Sequence, residues 1–501
     1  MAESLSENCQ TITLRRQSAP QLLNDGDILS LSPTVHVQMT FPSLAYSDTG
    51  LSALQRAEIK TFNQQYSVAR LPIGSGAYGA VYVSHELTSG RQVACKIVDL
   101  HKLSRMACEE TIEQWHNKRN ESSHLSDDAV RSMVKTKWQK RLMKKLAQGR
   151  AELSILKDLS HPNIIGAERI LMSDHTVYLF QELITGGDLW SYLDANGDPG
   201  LEDADITVVT KQLLEAVAYL HDQGIVHRDV KPENILMSSW KAGGRIVLTD
   251  FGLAKHICDS TSATSTQVRR KRMHTTVGTF EYAAPEVRLQ DKSEESENGY
   301  TCAVDLWSVG AIAVLLFTAK SVSNLFPIDE VDDINMISQE ISQSGNDICG
   351  IAADTEGHLP FMATCSQRDP ISRTSQQQMV SVNDLRTTGG TLICDLSDLD
   401  DAQHETWGRI ASRPKDFIKR LLVLDEAKRM TAHQALAHSW LTKKYYKHVL
   451  DGVYENAVKD WKPKGVIDIE RIETDVSRPG PLEDDTVLLN LLQESTSRHF
   501  R

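Results

Sequence analysis

The chain has 501 residues, with 54 Lys and Arg against 67 Asp and Glu, and its net charge of −13 argues against a general nucleic-acid binder. Hydrophobic residues make up 40% and charged residues 24%, a balance that can bury a sizeable core. The eight Cys form no C-x-x-C, so neither a zinc site nor a disulfide framework is signalled, and reduced thiols in the cytosol or nucleus are expected.

Residues 1–60 are polar, Ser-rich and without sustained periodicity, so a disordered tail is expected over 1–65. No basic stretch followed by an apolar one opens the chain, so no signal peptide is expected. From Tyr66 the hydrophobic pattern tightens and stays dense to about Trp440. PIGSGAYGAV (72–81) holds one G-x-G-x-x-G, at Gly74, Gly76 and Gly79. That spacing serves two pockets. In one, a strand turns into a helix that holds a dinucleotide; in the other, a strand turns back into a strand over the phosphates of ATP. Here Val81 and Val83 alternate with Tyr82 and Ser84, Thr88-Ser89-Gly90 signals a turn, and Val93, Ala94, Ile97 and Val98 make a second apolar run. The pattern predicts a hairpin with Lys96 on its return strand, able to point back under the loop.

Two stretches read as insertions. The first, about 100–148, is polar and then strongly basic; the second, about 320–405, is weakly periodic and rich in Ser, Gln, Asp and Thr. Within 131–150 there are eight basic residues and no acid, with Val134, Trp138, Leu142 and Leu146 at i+4 spacing. Such a stripe on a basic helix fits a calmodulin-type target or a dock for an acidic partner. It fits better an N-terminal extension of the next helix, packed by its stripe and solvated elsewhere. The most apolar run, VGAIAVLLF (309–317), is far short of the ~20 residues a membrane span needs and reads as a buried core helix. Residues 442–501 read as a charged tail, with one short helix around Val487, Leu488, Leu489, Leu491 and Leu492.

The later blocks arrive in a fixed order: IVHRDVKPENILM (225–237), VLTDFGLAK (247–255), GTFEYAAPE (278–286), DLWSVG (305–310) and LDEAKRMTAHQALAHSWL (424–441). Together with Gly74–Val81 and Val93-Ala94-Cys95-Lys96, they resemble the protein-kinase family over about 66–441. Cys95 replaces the usual Ile, an apolar exchange. The chain is similar to the calmodulin-dependent-kinase-like and checkpoint-kinase group. The resemblance implies an α+β, two-lobed fold: a small β-rich N-lobe with one main helix and a larger, mostly helical C-lobe. The domain is expected over 66–441, with both insertions inside it.

The resemblance also implies roles. Phosphoryl transfer asks a protein mainly for positioning and charge. Ile73, Gly74, Ser75, Gly76, Ala77, Tyr78 and Gly79 would cover the nucleotide. Lys96 would hold the α- and β-phosphates, paired with Glu152 on the helix in GRAELSILKDL (149–159). Asp250 and Asn234 would bind Mg²⁺, and Asp229 would accept or orient the substrate hydroxyl proton. Lys231 and Thr279 resemble serine/threonine kinases rather than tyrosine kinases. Val81, Ala94 and Leu236 would sandwich the adenine with Ile73. FQELITGGDL (180–189) resembles the hinge, with Gln181 at the gatekeeper position, backbone hydrogen bonds from Glu182 and Ile184, and Asp188 at the ribose. Glu286 would pair with Arg429.

Regulation by activation-segment phosphate is implied by Arg228 beside the catalytic Asp, with Thr275 and Thr276 as acceptors. Arg272 lies three residues before Thr275 and Arg15 three before Ser18, so both fit an R-x-x-S/T pattern. Ser-Gln pairs at Ser338, Ser342, Ser366 and Ser375 resemble targets of DNA-damage kinases. Residues 1–65 are too short for the phosphothreonine-binding module that many checkpoint kinases carry, so that module is not expected there. A kinase-fold scaffold is the competing reading, but its signature would be a lost Lys, Asp or Asn. Protein substrates, no direct nucleic-acid partner, no membrane, and a monomer or transient dimer are expected.

Overall fold

Strand alternation over 66–99 produces the expected hairpin. β3 (Tyr66–Ser75) pairs antiparallel with β4 (Gly79–Glu86), which pairs with β5 (Gln92–Asp99). Gly90 makes the second turn at φ 71°, a left-handed conformation that costs glycine little. With β6 (Ala167–Met172), β7 (Thr176–Glu182) and β12 (Ile469–Arg471) these strands form a six-stranded sheet in the order β12-β6-β7-β5-β4-β3. β12 runs parallel to β6; the other pairs are antiparallel. A separate hairpin, β1 (Ile28–Ser32) with β2 (Val35–Gln38), leaves Leu31 and Val35 exposed.

The computed structural model describes residues 21–23, 27–32, 34–39, 50–76, 79–117, 127–196, 201–240, 243–257, 281–288, 301–319, 407–442 and 444–473. The chain divides into two compact units. The first comprises 1–160, 165–185 and 463–501, and the second 161–164 and 186–462.

In the first unit, period-two alternation sorts the sheet's residues. Tyr82, Cys95, Ile97, Tyr178 and Phe180 form a buried core with Phe62 and Tyr66. Lys96 is paired in register with Val81 and Leu179, on the opposite face. The core face is covered by α1 (Ala53–Ile59), which opens with a reciprocal capping box between Ser52 and Gln55. α1 buries Glu58 completely. Ser173 Oγ donates to its Oε1 at 2.5 Å and Tyr178 OH to its Oε2 at 2.8 Å, satisfying a carboxylate that would otherwise be costly to bury.

The first insertion is helical. α2 (Leu100–Asn117) packs on α3 (Asp127–Leu156), a single helix of 30 residues. Val134, Trp138 and Leu142 are fully buried against Leu103, Ala107, Cys108 and Ile112 of α2. Trp138 Nε1 donates to Ser104 O at 3.1 Å, and Lys145 and Arg141 reach Glu110 at 2.9 and 3.7 Å. Of the readings of 131–150, the structure thus shows the extension of the helix that carries Glu152.

The second unit is helical around a few short strand pairs. α4 (Leu189–Asn196) and α5 (Asp203–Asp222) precede β8 (Ile225–Val226), β9 (Ile235–Met237), β10 (Ile246–Leu248) and β11 (Lys255–His256). α6 (Pro285–Arg288), α7 (Ala303–Thr318), α8 (Ser412–Leu421), α9 (Ala432–Leu436), α10 (Ser439–Thr442) and α11 (Lys444–Val458) follow. α7 is buried from Val304 to Thr318, as its apolar run requires. A Cβ at Gly310 would stand 2.9 Å from Leu421 and Leu422, so glycine lets these elements approach.

Two expectations need correction. The expected 1–65 tail contains β1, β2 and α1, because Glu58 and Phe62 are built into the sheet's core. The expected 442–501 tail contains α11 and β12, and β12 adds a strand to the first unit's sheet. The short helix expected near 487–492, the second insertion, Ser18 and Thr279 lie outside the described residues.

Candidate active site

Lys96 sits in the middle of β5 and Glu152 in the last turns of α3. Lys96 Nζ donates to Glu152 Oε1 at 2.8 Å, and both side chains are mostly buried. Glu152 lies 56 positions after Lys96, beyond the end of β5, α2 and most of α3, so the long sequence gap folds into one direct contact.

The glycine stretch is a tight return from β3 to β4, in which Gly76 N–H donates to Gly79 O at 2.8 Å. A Cβ at Gly79 would lie 2.1 Å from Ile97 O, so the third glycine is demanded by the neighbouring strand. Gly74 has open space around its Cα. Ile73 is half exposed at 50%. Val81 and Ala94 lie on the face of Lys96, as does Gln181, which pairs with Ala94. Glu182 ends β7 and Ile184 follows it. Ala77 and Tyr78 lie outside the described residues.

The second unit gathers Asp229, Lys231, Asn234 and Asp250 around a strained loop. Arg228 has φ 68° and Asp250 φ 63°, a region that non-glycine residues enter only when their surroundings over-determine it. For Arg228 the determinant is Asp305 of α7, fully buried. Its Oδ1 accepts from Arg228 N–H at 2.8 Å, and its Oδ2 from His227 N–H at 3.0 Å and His221 Nε2 at 2.9 Å. Burial pushes the Asp305 carboxyl up, but these donors outweigh it and hold it below the usual carboxylate range.

His227 is also fully buried. Burial lowers its pKa and keeps the ring neutral. Its Nε2 lies 3.0 Å from Thr249 O and so carries the proton, leaving Nδ1 to accept from Asp229 N–H at 3.3 Å. The ring meets Phe251 edge-on at 4.8 Å. One imidazole thus ties the Asp229 loop to the residues just before Asp250.

Lys231 Nζ stands 3.1 Å from Asp229 Oδ2. Asn234 Nδ2 donates to Asp229 O at 2.9 Å and Oδ2 at 3.0 Å, which leaves its amide oxygen without a partner among the described residues. Asp250 is exposed, and among the described residues its Oδ1 accepts from Gly252 N–H at 3.2 Å, while its Oδ2 has no such donor. The donor set left open is a carboxylate and an amide oxygen, hard ligands of the kind Mg²⁺ takes. Arg228 Nε donates to Leu253 O at 2.6 Å. Asp188 accepts from Ser191 N–H at 2.7 Å and Ser191 Oγ at 2.9 Å, starting α4, and bridges in the backbone to Leu236.

The expected Glu286–Arg429 pair is present. Arg429 donates to both Glu286 oxygens at 2.6 and 3.1 Å, and also to Ala303 O and Val423 O at 2.8 Å. Thr275 and Thr276 lie outside the described residues. Asp305 lies within DLWSVG, and its role comes from its contacts with His221, His227 and Arg228.

A family model described as "Protein kinase domain" matches residues 123–441, well over half of the chain. The chain belongs to the protein kinase family. The meiosis-specific serine/threonine-protein kinase mek1 of Schizosaccharomyces pombe is 31% identical over 334 residues, 65% of this chain and 62% of that protein. The serine/threonine-protein kinase cds1 of the same organism is 32% identical over 266 residues, 53% of this chain and 47% of that protein. The calcium/calmodulin-dependent protein kinase type 1 of Macrobrachium nipponense is 30% identical over 291 residues, 58% and 61% of the two chains. The chain spans about half to three-fifths of the length of these relatives. The matched region starts inside the α2–α3 insertion, so the glycine turn and Lys96 lie upstream of it.

Proposed function

We propose that the chain is an active ATP-dependent serine/threonine protein kinase. The observation that carries this reading is the intact Lys96–Glu152 pair together with the Asp229–Lys231–Asn234 cluster. A scaffold that had lost catalysis would have no need to keep Asp229 bracketed by a lysine and an amide.

Lys96, held in place by Glu152, neutralises charge on the α- and β-phosphates. Ile73, Val81, Ala94 and Leu236 take the adenine, Glu182 and Ile184 offer it backbone groups, and Asp188 takes the ribose. The turn from Gly74 to Gly79 covers the phosphates. Asp250 and Asn234 would hold Mg²⁺, which when bound draws negative charge from the β- and γ-phosphates. Asp229 orients the substrate hydroxyl and receives its proton as the oxygen bonds to the γ-phosphorus and the bond to ADP breaks. Lys231, beside Asp229, stabilises the charge spreading over the transferred group.

The test is phosphate transfer by purified chain, with Mg-ATP, to Ser/Thr peptide libraries with and without Arg at the third position before the acceptor. The full chain is expected to phosphorylate them and Asp229→Asn to fail; equal transfer by both would overturn the reading. Preference for R-x-x-S/T and activation through Thr275 are narrower proposals. Equal Thr275 phosphate in wild type and Asp229→Asn would sink self-activation. A calmodulin-type partner at 131–150 would have to displace α2 from Val134, Trp138 and Leu142, so we expect no calcium-dependent capture of the folded chain by calmodulin. The Ser-Gln pairs favour a checkpoint-type role as a second reading, tested by their phosphorylation after DNA damage.

A further inference from the structure

The segment 464–472 lies beyond residue 441, where the family match ends, yet it belongs to the first unit. It touches three parts of that unit in turn. Lys464 N–H donates to Ser160 Oγ at 2.9 Å, and Ile467 N–H donates to Lys157 O at 3.4 Å. Lys157 directly follows α3, and its own N–H continues the helical ladder to Leu153 O at 3.1 Å. Ile467 therefore takes up a carbonyl of the kind a helix end leaves without an internal partner. That end is little more than one turn from Glu152.

Further along, Lys464 Nζ stands 3.2 Å from Glu168 Oε1, a carboxylate that Arg91 also grips at 2.9 and 2.5 Å. β12 then adds to β6 with Glu470 opposite Leu171. Arg169 forks onto Glu470 at 2.9 and 2.6 Å, and Ile472 N–H donates to Met172 O at 2.9 Å. The Ile472 side chain packs on the core that holds Tyr66, Tyr178 and Phe180. The segment thus links the end of α3 to the sheet that carries Lys96.

We propose that residues 464–472 form a C-terminal strap that fixes the end of α3, and so the placement of Glu152 against Lys96. Lys464, Glu470 and Ile472 are then positioning residues for nucleotide binding. The inference rests on reading Lys96 and Glu152 as the nucleotide-binding pair. Its physical basis is tolerance. The ion pair is made at 2.8 Å, and a displacement of α3 by about 1 Å takes it out of hydrogen-bonding range. α2 covers α3 at Val134, Trp138 and Leu142, about three to five turns short of Glu152, whereas the strap meets the opposite end. Glu470 is half exposed, so its ion pair contributes modestly. The ladder bond and the burial of Ile472 hold the strap more firmly.

The experiment uses the full chain as Ile472→Pro, Glu470→Arg, Arg169→Glu and the Arg169→Glu/Glu470→Arg double swap. Proline removes the N–H given to Met172 O, while its fixed φ suits an extended strand. Two readouts are taken: hydrogen exchange of amides 148–157, and KM for ATP against kcat. Ile472→Pro is expected to speed exchange at the end of α3 and to raise KM for ATP by about three- to tenfold, the factor one lost net hydrogen bond carries. Glu470→Arg should move both readouts less, and the double swap should restore them. Faster exchange confined to 464–472, with α3 and KM unchanged, would overturn the strap. Should Ile472→Pro fail to fold, Glu470→Arg and its rescue decide. A wild type that transfers no phosphate would refute the kinase reading instead, while the exchange of α3 would still decide the strap.

Discussion

Asp305→Asn probes the brace beneath the candidate catalytic loop. The carboxylate divides three donors between two oxygens: Arg228 N–H on Oδ1, and His227 N–H with His221 Nε2 on Oδ2. Asparagine fits the space but offers one oxygen, and its amide nitrogen must point at an N–H. If the oxygen faces Arg228, His227 N–H and His221 lose their acceptor; if it faces His227, Arg228 N–H loses its own. A buried hydrogen bond to a charged group is worth about 1.5–3 kcal/mol, and Arg228 must still be held in a left-handed conformation that costs about 1–2 kcal/mol. A loss of about 2–4 kcal/mol is therefore expected, read as a lower urea midpoint of the full chain with unchanged m-value. kcat should fall, because His227 and Arg228 immediately precede Asp229, while KM for ATP should change little. The pH sign follows from the lowered folded pKa. The carboxylate's contribution is complete above the unfolded value near ~4 and is lost as pH falls through the folded one, so wild type and variant should converge at strongly acid pH. A variant with the wild-type midpoint and kcat would refute the brace.

His161 offers a second test: burial lowers its pKa to about 4, its Nδ1 accepts Asn163 N–H at 3.1 Å, and its ring lies 5.0 Å from that of Tyr219. The unfolded chain takes up this proton near ~6.5, so stability should fall between there and pH 4, by on the order of 3 kcal/mol, and His161→Asn should flatten that slope in urea titrations at stepped pH. Trp138→Ala empties a fully buried site between α2 and α3 and removes the bond its Nε1 gives to Ser104 O, so a loss of about 3–5 kcal/mol is expected by thermal unfolding; a loss under about 1 kcal/mol would show that α2 is not packed as described. Lys96→Met should lower kcat/KM at least a hundredfold, roughly the effect of deleting one preorganised donor, without lowering the melting temperature by more than a few degrees. Parallel activity and thermal-shift assays check it.

Local pattern made some features legible and left others hidden. The hairpin around Lys96 could be read because alternation and Thr88-Ser89-Gly90 are local signals. The Glu152 partner could be read because Lys96 needs a counter-charge and GRAELSILKDL puts an acid on an apolar-periodic helix; the Glu286–Arg429 pair came from the family resemblance, and the structure shows it. α1 and β12 could not. Each is short, and what stabilises it is remote: Glu58 is satisfied by Ser173 and Tyr178, and β12 by Arg169 and Met172. The α2–α3 pair reads as an insertion because its polar faces dominate its composition, while its burial is a contact between helices.

The sequence by itself determined the motif stretches that hold Lys96, Glu152, Asp229, Lys231, Asn234 and Asp250, in order and on recognisable local elements. It did so because these residues sit beside turns, glycines and alternating strands whose preferences are set within a few residues. Only the tertiary structure decided what holds them. The brace at Asp305, the tautomer of His227, the cover that α2 gives the basic helix and the strap at 464–472 all depend on groups tens to hundreds of residues apart. Burial there turns a dispersed polar residue into a specific partner, because a buried donor or acceptor must find one.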